Sequence, residues 1–359
     1  MTYDVVVAGG SFAGLITATS VRGRVALVEK GEVGEGQTSA CGTTLDLVQK
    51  LGLEESIEEV HDEGVLHTRN HTVRFKLPYA FCTFDYGTFC RMLLDRFNGD
   101  LVTAAATGVE GSAVITDQGS VEGRLLVDAT GWRATLACSV APTFPARVAV
   151  TYGLEKPCIG FMDSGLHFWF DPEVRGDGYA WSFPAGGVAR AGLLSYVAPD
   201  GVSASTDAFL HREGINGERT HGGFLTAGLR PATARDVFLV GDSAGHCLPL
   251  TGEGIRPAAF FAQRLASIIN DIADGRSAAE ARAAYRELQA GYARRYRILR
   301  GLQRGLRGWP DPPLGRGLRL LEGGAIYRYL ARVYWDIAAP IEPTPAPRPA
   351  SIELRGASA

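Results

Sequence analysis

Residues 4–14 read Asp4-Val5-Val6-Val7-Ala8-Gly9-Gly10-Ser11-Phe12-Ala13-Gly14, and few folds accommodate such a run. Residues 5–8 are continuously apolar, which predicts a strand buried on both faces, as in a parallel sheet. Glycines follow at once, where the chain must turn tightly. Leu15-Ile16-Thr17-Ala18-Thr19-Ser20-Val21 then opens a helix. Strand, glycine turn and helix make the first half of a dinucleotide-binding βαβ unit. Its helix N-terminus turns backbone N–H groups and a partial positive charge toward a pyrophosphate. Arg24-Val25-Ala26-Leu27-Val28-Glu29 predicts the second strand, and Glu29 lies 20 residues after Gly9. That is about the spacing at which a carboxylate takes ribose hydroxyls. The alternative is an ordinary tight turn with an incidental acid; strand, helix and acid all standing in register argues against it. The middle glycine of G-x-G-x-x-G is Ser11 here, small enough for a phosphate to approach and able to donate to it.

Further motifs follow in order. A glycine-punctuated loop after Glu29 contains Gln37-Thr38-Ser39-Ala40-Cys41-Gly42-Thr43-Thr44. Cys41 there is either a functional thiol or a small buried one. Residues 45–53 predict a short helix, and residues 64–84 predict strands that leave the nucleotide-binding unit. Residues 86–97 predict an amphipathic helix that returns to it. Gly123-Arg124-Leu125-Leu126-Val127-Asp128-Ala129-Thr130-Gly131 is a buried strand ending at Asp128 and Gly131. Strand ends of this kind face the ligand crevice of an α/β sheet. From about 146 to 223 alternating strands separated by turn residues predict a largely antiparallel sheet. On one of them, period 2 puts Tyr179, Trp181 and Phe183 on a single face, either as core or as a pocket wall. Val237-Phe238-Leu239-Val240-Gly241-Asp242 then returns to the first unit. A long helix starts near residues 252–255 and runs to about Asp274, with Pro257 in its first turn.

Length and composition bound the rest. With 359 residues, two or three units of about 150 residues are expected. A hydrophobic content of 46% is ample for a real core, and the net charge of −3 shows no bias toward nucleic acid. The six cysteines form no C-x-x-C pair, so neither a zinc site nor a disulfide scaffold is indicated, and no metal is expected. The chain opens directly on a strand and has no apolar run near 20 residues, so a cytoplasmic protein without signal peptide or membrane span is expected. Residues 280–339 hold twelve Arg against five Asp or Glu. That excess is either a solvated face or a contact with the inner, anionic face of a membrane. Residues 340–359, with five prolines, read as a disordered tail.

Three separated motifs stand together: residues 9–14 with Glu29, residues 128–131, and Gly241-Asp242 with Pro249 and Gly252-Glu253-Gly254. This set resembles the FAD-binding skeleton of flavoproteins with the para-hydroxybenzoate hydroxylase fold, over about residues 1–275. That superfamily includes aromatic hydroxylases, halogenases, lycopene cyclases and geranylgeranyl reductases. Tyr179-Ala180-Trp181-Ser182-Phe183-Pro184 is similar to the Y-x-W-x-F-P signature of geranylgeranyl reductases, and Ala40-Cys41-Gly42 to their cysteine-glycine loop beside the isoalloxazine. Halogenases carry W-x-W-x-I-P at this place, and their lysine has no counterpart here: Lys76, the sole nearby candidate, stands in a strand-like context that does not match. The hydroxylases' D-G-x-x-S-x-x-R pattern is replaced by Ala129-Thr130-Gly131-Trp132-Arg133-Ala134-Thr135-Leu136-Ala137. Tyr86 stands where many relatives have Arg.

The resemblance implies an α/β fold: a Rossmann-like FAD-binding domain with an inserted, largely antiparallel β-sheet substrate domain and a C-terminal helical region. Residues 1–70, 86–145 and 224–275 would form the first, 71–85 and 146–223 the second, and 276–339 the third. FAD would be held by Gly9, Gly10, Ser11, Phe12, Ala13, Gly14, Glu29, Lys30, Cys41, Gly42, Val109, Asp128, Gly131, Gly241, Asp242, Pro249, Gly252, Gly254 and Ile255. Tyr179, Trp181, Phe183 and Pro184 would hold substrate, and Cys41 is the candidate proton donor. The implied activity is saturation of isoprenoid C=C bonds by reduced FAD, with NAD(P)H or a reduced electron carrier as donor, in a monomer. A monooxygenase or halogenase, and a redox-neutral lycopene-cyclase-like flavoprotein, are the other expectations left open.

Overall fold

A computed structural model describes residues 2–159, 163–197, 199–217, 220–307 and 325–339. The tail expected at 340–359 and part of the expected helical region, 308–324, lie outside the described residues. The structure is mixed α/β, built on two sheets. In the first, strands Tyr3–Ala8, Val25–Glu29, Asp100–Thr103, Gly119–Asp128 and Val237–Leu239 run parallel, with Thr233–Ala234 as an antiparallel edge. Val5, Val6, Val7 and Ala8 are all buried. Helices Phe12–Ser20 and Ile255–Ala273 cover one face, and Thr135–Val140 packs with the core of the other. Burial on both faces is why this strand reads as an unbroken apolar run rather than an alternation.

The second sheet runs in the order Asn216–Gly217, Val150–Ile159, Val188–Ser195, Gly178–Ala185, Leu166–Trp169, Ile57–His67, Thr72–Phe84, Gly42–Thr44, and His221–Thr226 also pairs with Val150–Ile159. Its neighbours are antiparallel except Leu166–Trp169 beside Ile57–His67. Residues 57–67, read from sequence as part of the nucleotide-binding unit, therefore stand with the second sheet. Register shifts near Glu59 and Glu63 break the strand's period-2 pattern, so alternation does not announce it.

The long helix begins at Ile255 as expected. Beyond it, Ala278–Ala290 starts with a full Ser277–Glu280 capping box, followed by Ala293–Leu306 and Ala325–Trp335. Among the described residues no helix is long and apolar enough to cross a membrane.

Candidate active site

One crevice of about 1150 Å³ runs between the two sheets, from the glycine turn to the C-terminal helix. At one end the turn after the first strand is shaped for a close neighbour. Gly9 has φ +112°, and a Cβ there would stand 2.1 Å from the Ala129 carbonyl oxygen. Gly14 allows helix and turn to approach: its Cβ would lie 1.7 Å from Gly9 O. The helix Phe12–Ser20 has no acid in its first turn and no side-chain cap from Ser11. The N–H groups of that turn have no helical partner, so the terminus suits an anion. Ser11 Oγ instead accepts from the Tyr86 hydroxyl at 3.2 Å. Glu29 is tied into the turn: Oε2 accepts from Gly10 N at 2.5 Å and Oε1 from Lys30 N at 2.9 Å. Oε1 also accepts from Gly31 N at 3.3 Å, so it is Oε2 that keeps a lone pair for a sugar hydroxyl. Gly9, Gly10, Ser11, Phe12, Ala13, Glu29 and Lys30 all line the crevice.

Midway along, Gly131, Gly241 and Asp242 form the wall. Oδ2 of Asp242 accepts from Thr226 N at 2.9 Å, and burial, only partly offset by that bond and by Arg230, pushes the carboxyl up to about 6. Gly252, Gly254 and Ile255 follow, at the uncapped start of the long helix. Two tyrosines of the second sheet hold this segment. The Tyr179 hydroxyl donates to Thr251 O, and that of Tyr196 donates to Leu250 O at 2.6 Å.

The second sheet supplies an aromatic wall. Tyr179, Trp181 and Phe183 share one face of Gly178–Ala185 and all line the crevice, backed by Phe168 and Phe170. Gly42 is part of the same wall: a Cβ there would be 3.7 Å from the Phe183 ring.

Six residues expected at the site do not line the crevice. Cys41 is the most consequential. Its neighbours Ala40 and Gly42 face the cavity, but Cys41 itself is 0% exposed within the main core, at φ +51°. Its thiol donates to Ser39 O at 3.4 Å, and burial pushes it far above the usual thiol range. Packed in the core and absent from the cavity wall, Cys41 does not stand where the expected proton donor was placed. Asp128, also 0% exposed, spends its carboxylate on structure. It accepts from Thr130 N and Oγ1, Ala137 N and Ser243 Oγ, and so ties together the turns at 129–131 and 241–244. Ala104, Ala105 and Ala106 line the crevice in place of Val109, whose N–H donates to Ser139 Oγ at 3.0 Å. Pro184 O accepts from Thr83 Oγ1 at 2.7 Å, a tie between two non-adjacent strands of the second sheet. Gly14 acts through the close approach already described, and Pro249 is buried behind Leu250.

Other lining residues were not anticipated. Glu155 stands in the wall, 2% exposed. Its strand alternates, with Thr151, Gly153 and Glu155 on the buried face; an acid on that face was the available signal. Leu299, Leu302, Leu330, Tyr334 and Trp335 close the far end. Among the described residues no group of three His, Cys, Asp or Glu is placed to hold a metal ion.

Solved structures share this architecture. A geranylgeranyl bacteriochlorophyll reductase-like protein from Thermoplasma acidophilum superposes with a TM-score of 0.82 at 17% identity, covering 94% of this chain and 97% of its own. A flavin-dependent brominase gives 0.74 at 15% identity over 93% of both chains. An anhydrotetracycline hydroxylase from Streptomyces rimosus gives 0.68 at 20% identity, over 94% of this chain and 76% of its own. No protein-family model and no curated protein matches the chain. The fold implied by the three sequence motifs is the fold found, one shared by reductase-like, halogenating and hydroxylating proteins.

Proposed function

We propose that this chain is an FAD-dependent oxidoreductase that saturates C=C bonds of an isoprenoid, a polyprenyl lipid or quinone. The observation that carries the reading is the meeting, in one crevice, of the open glycine turn and the Tyr179–Trp181–Phe183 wall. The turn at residues 9–13 suits a pyrophosphate, Glu29 an adenosine ribose and Asp242 a sugar-like chain. The N-terminus of Ile255–Ala273 favours the negative charge of a reduced ring. FAD, replenished by NAD(P)H or a reduced carrier, supplies hydride. The chain supplies position, a dry aromatic channel and a proton. An isolated olefin accepts hydride poorly because nothing stabilises the carbanion, so a proton must arrive with it.

Delivery from a membrane belongs to the same reading. Helix Ala293–Leu306 turns Leu299 and Leu302 into the crevice and exposes Arg294, Arg297 and Arg304. Those cations would meet anionic lipid beside that end of the cavity.

The test is anaerobic. Reduced holoprotein is mixed with geranylgeranyl diphosphate or menaquinone, and flavin spectrum and product mass are followed. Reoxidation without oxygen, with two hydrogens gained per bond, supports the reading. Flavin that stays reduced until air enters, with oxygen or halide added to product, favours the second reading, a monooxygenase or halogenase, which the likeness to the brominase and the hydroxylase keeps open. Trp181→Ala should cut olefin turnover about 5- to 150-fold with flavin content unchanged, since about 1–3 kcal/mol of apolar contact is removed; equal loss of flavin and turnover would make Trp181 core only.

A further inference from the structure

One row of residues crosses four strands of the crevice wall. Trp181 pairs with Gly192, Gly192 with Glu155, and Glu155 with His221. Gly192 has no side chain, and the Trp181 indole lies across it: a Cβ on Gly192 would stand 2.4 Å from that ring. The indole thereby reaches past one strand, and its Nε1–H donates to Glu155 Oε2 at 3.1 Å. The other carboxylate oxygen, Oε1, is 3.0 Å from His221 Nε2. Glu155 lines the crevice, whereas the His221 side chain is 23% exposed. The row therefore joins the cavity to solvent through two groups that carry protons. Burying a carboxylate costs several kcal/mol unless it is paired, and each oxygen of Glu155 has its partner in this row.

The other ionisable groups around Glu155 are engaged elsewhere. Glu58 is paired with Arg190 at 2.6 Å, and Lys156 with Asp207 at 2.7 Å. The Cys41 and Cys158 thiols, both within its electrostatic reach, are buried and pushed upward by burial.

We propose that Glu155 is the acid that protonates the olefin and that His221 reloads it from water. The assignment rests on the olefin reduction proposed above. One olefin carbon takes hydride, with its electron pair, from reduced flavin. The other carbon takes a proton from the Glu155 carboxyl. The π bond is lost and two C–H bonds form, so the olefin is reduced and the flavin oxidised. Glu155, left as a carboxylate, takes a proton from His221 Nε2, and His221 takes one from solvent. Trp181 positions the carboxyl through its N–H.

Glu155→Gln tests this, because the amide keeps an acceptor for Trp181 and a group for His221 but has no proton to give. Anaerobic reoxidation of reduced holoprotein by geranylgeranyl diphosphate should fall about 100-fold or more, with flavin content and apparent substrate affinity unchanged. His221→Ala should slow it less and be rescued by added imidazole, which a structural role would not permit. In flavin-free, ¹⁵N-labelled protein, the Trp181 Nε1–H and His221 Nε2–H signals should shift together in Glu155→Gln. A variant as fast as wild type, one that loses flavin or substrate, or signals that move independently would each overturn the assignment. Wild type that leaves the flavin reduced sinks the olefin reading and the assignment with it; wild type that turns over beside an equally fast Glu155→Gln sinks the assignment alone.

Discussion

A methyl group on Gly9 would stand 2.1 Å from a carbonyl oxygen, on a backbone already at φ +112°. Gly9→Ala must distort the turn, at a cost of about 1–3 kcal/mol, and should be purified with little or no flavin; a yellow variant with wild-type flavin content would contradict the pyrophosphate role. Asp242 makes a pH prediction. Its carboxyl is raised from 3.8 to about 6 in the folded protein by burial. A group raised on folding contributes stability that is full below its unfolded value and is lost as pH rises through the folded one. The flavin-free wild type should thus lose stability between about pH 4 and 6 relative to Asp242→Asn. The variant's melting temperature should exceed wild type at pH 7.5, and the gap should close toward pH 4. A constant gap across that range would mean that Asp242 is not the titrating group. At this scale the sequence was legible where a backbone requirement selects the residue, as at Gly9. It was misleading where residue type alone was the clue. Cys41 and Asp128 sit one residue away from positions that do line the crevice, and a side chain's direction in a loop depends on tertiary contacts.

Among the elements, the aromatic strand was readable because period 2 survives along Gly178–Ala185. Ile57–His67 was not, because register shifts scramble its alternation. The C-terminal helix Ala325–Trp335 shows another limit. Amphipathic spacing says that one face is buried, but not against what. The structure answers with a buried ion pair: Arg256 and Glu253 side chains are 3% and 6% exposed, 2.7 Å apart. Arg256 also donates to the carbonyl oxygens of Ile337 and Ala338 and stacks under Trp335, 4.9 Å from its ring centroid. The Tyr334 hydroxyl donates to Glu253. Glu253→Ala would leave the Arg256 cation buried without its partner, at about 3–5 kcal/mol. It should lower the melting temperature and open residues 325–339 to limited proteolysis; an unchanged cleavage pattern would mean that the helix is held by its apolar contacts alone.

For the molecule as a whole, the two-sheet plan followed from the order of motifs, because a parallel nucleotide-binding sheet interrupted by antiparallel strands leaves few topologies. How the crevice is closed did not follow, since its far wall comes from the most distant part of the chain. Leu330, Tyr334 and Trp335 lie more than 300 residues from the glycine turn, yet line the same cavity. Truncation after residue 324 should therefore raise the KM for a polyprenyl substrate by tenfold or more while flavin content holds; an unchanged KM would place the substrate away from this helix. Because the helix is part of the wall, occupancy of the crevice and docking of the chain's end are thermodynamically coupled, and the coupling is reciprocal. Whatever the docked end adds to substrate affinity, substrate adds to the stability of the docked end. A substrate-loaded protein should thus exchange its amide hydrogens at residues 328–339 more slowly than the free one, so that this terminal helix reports whether the crevice is filled.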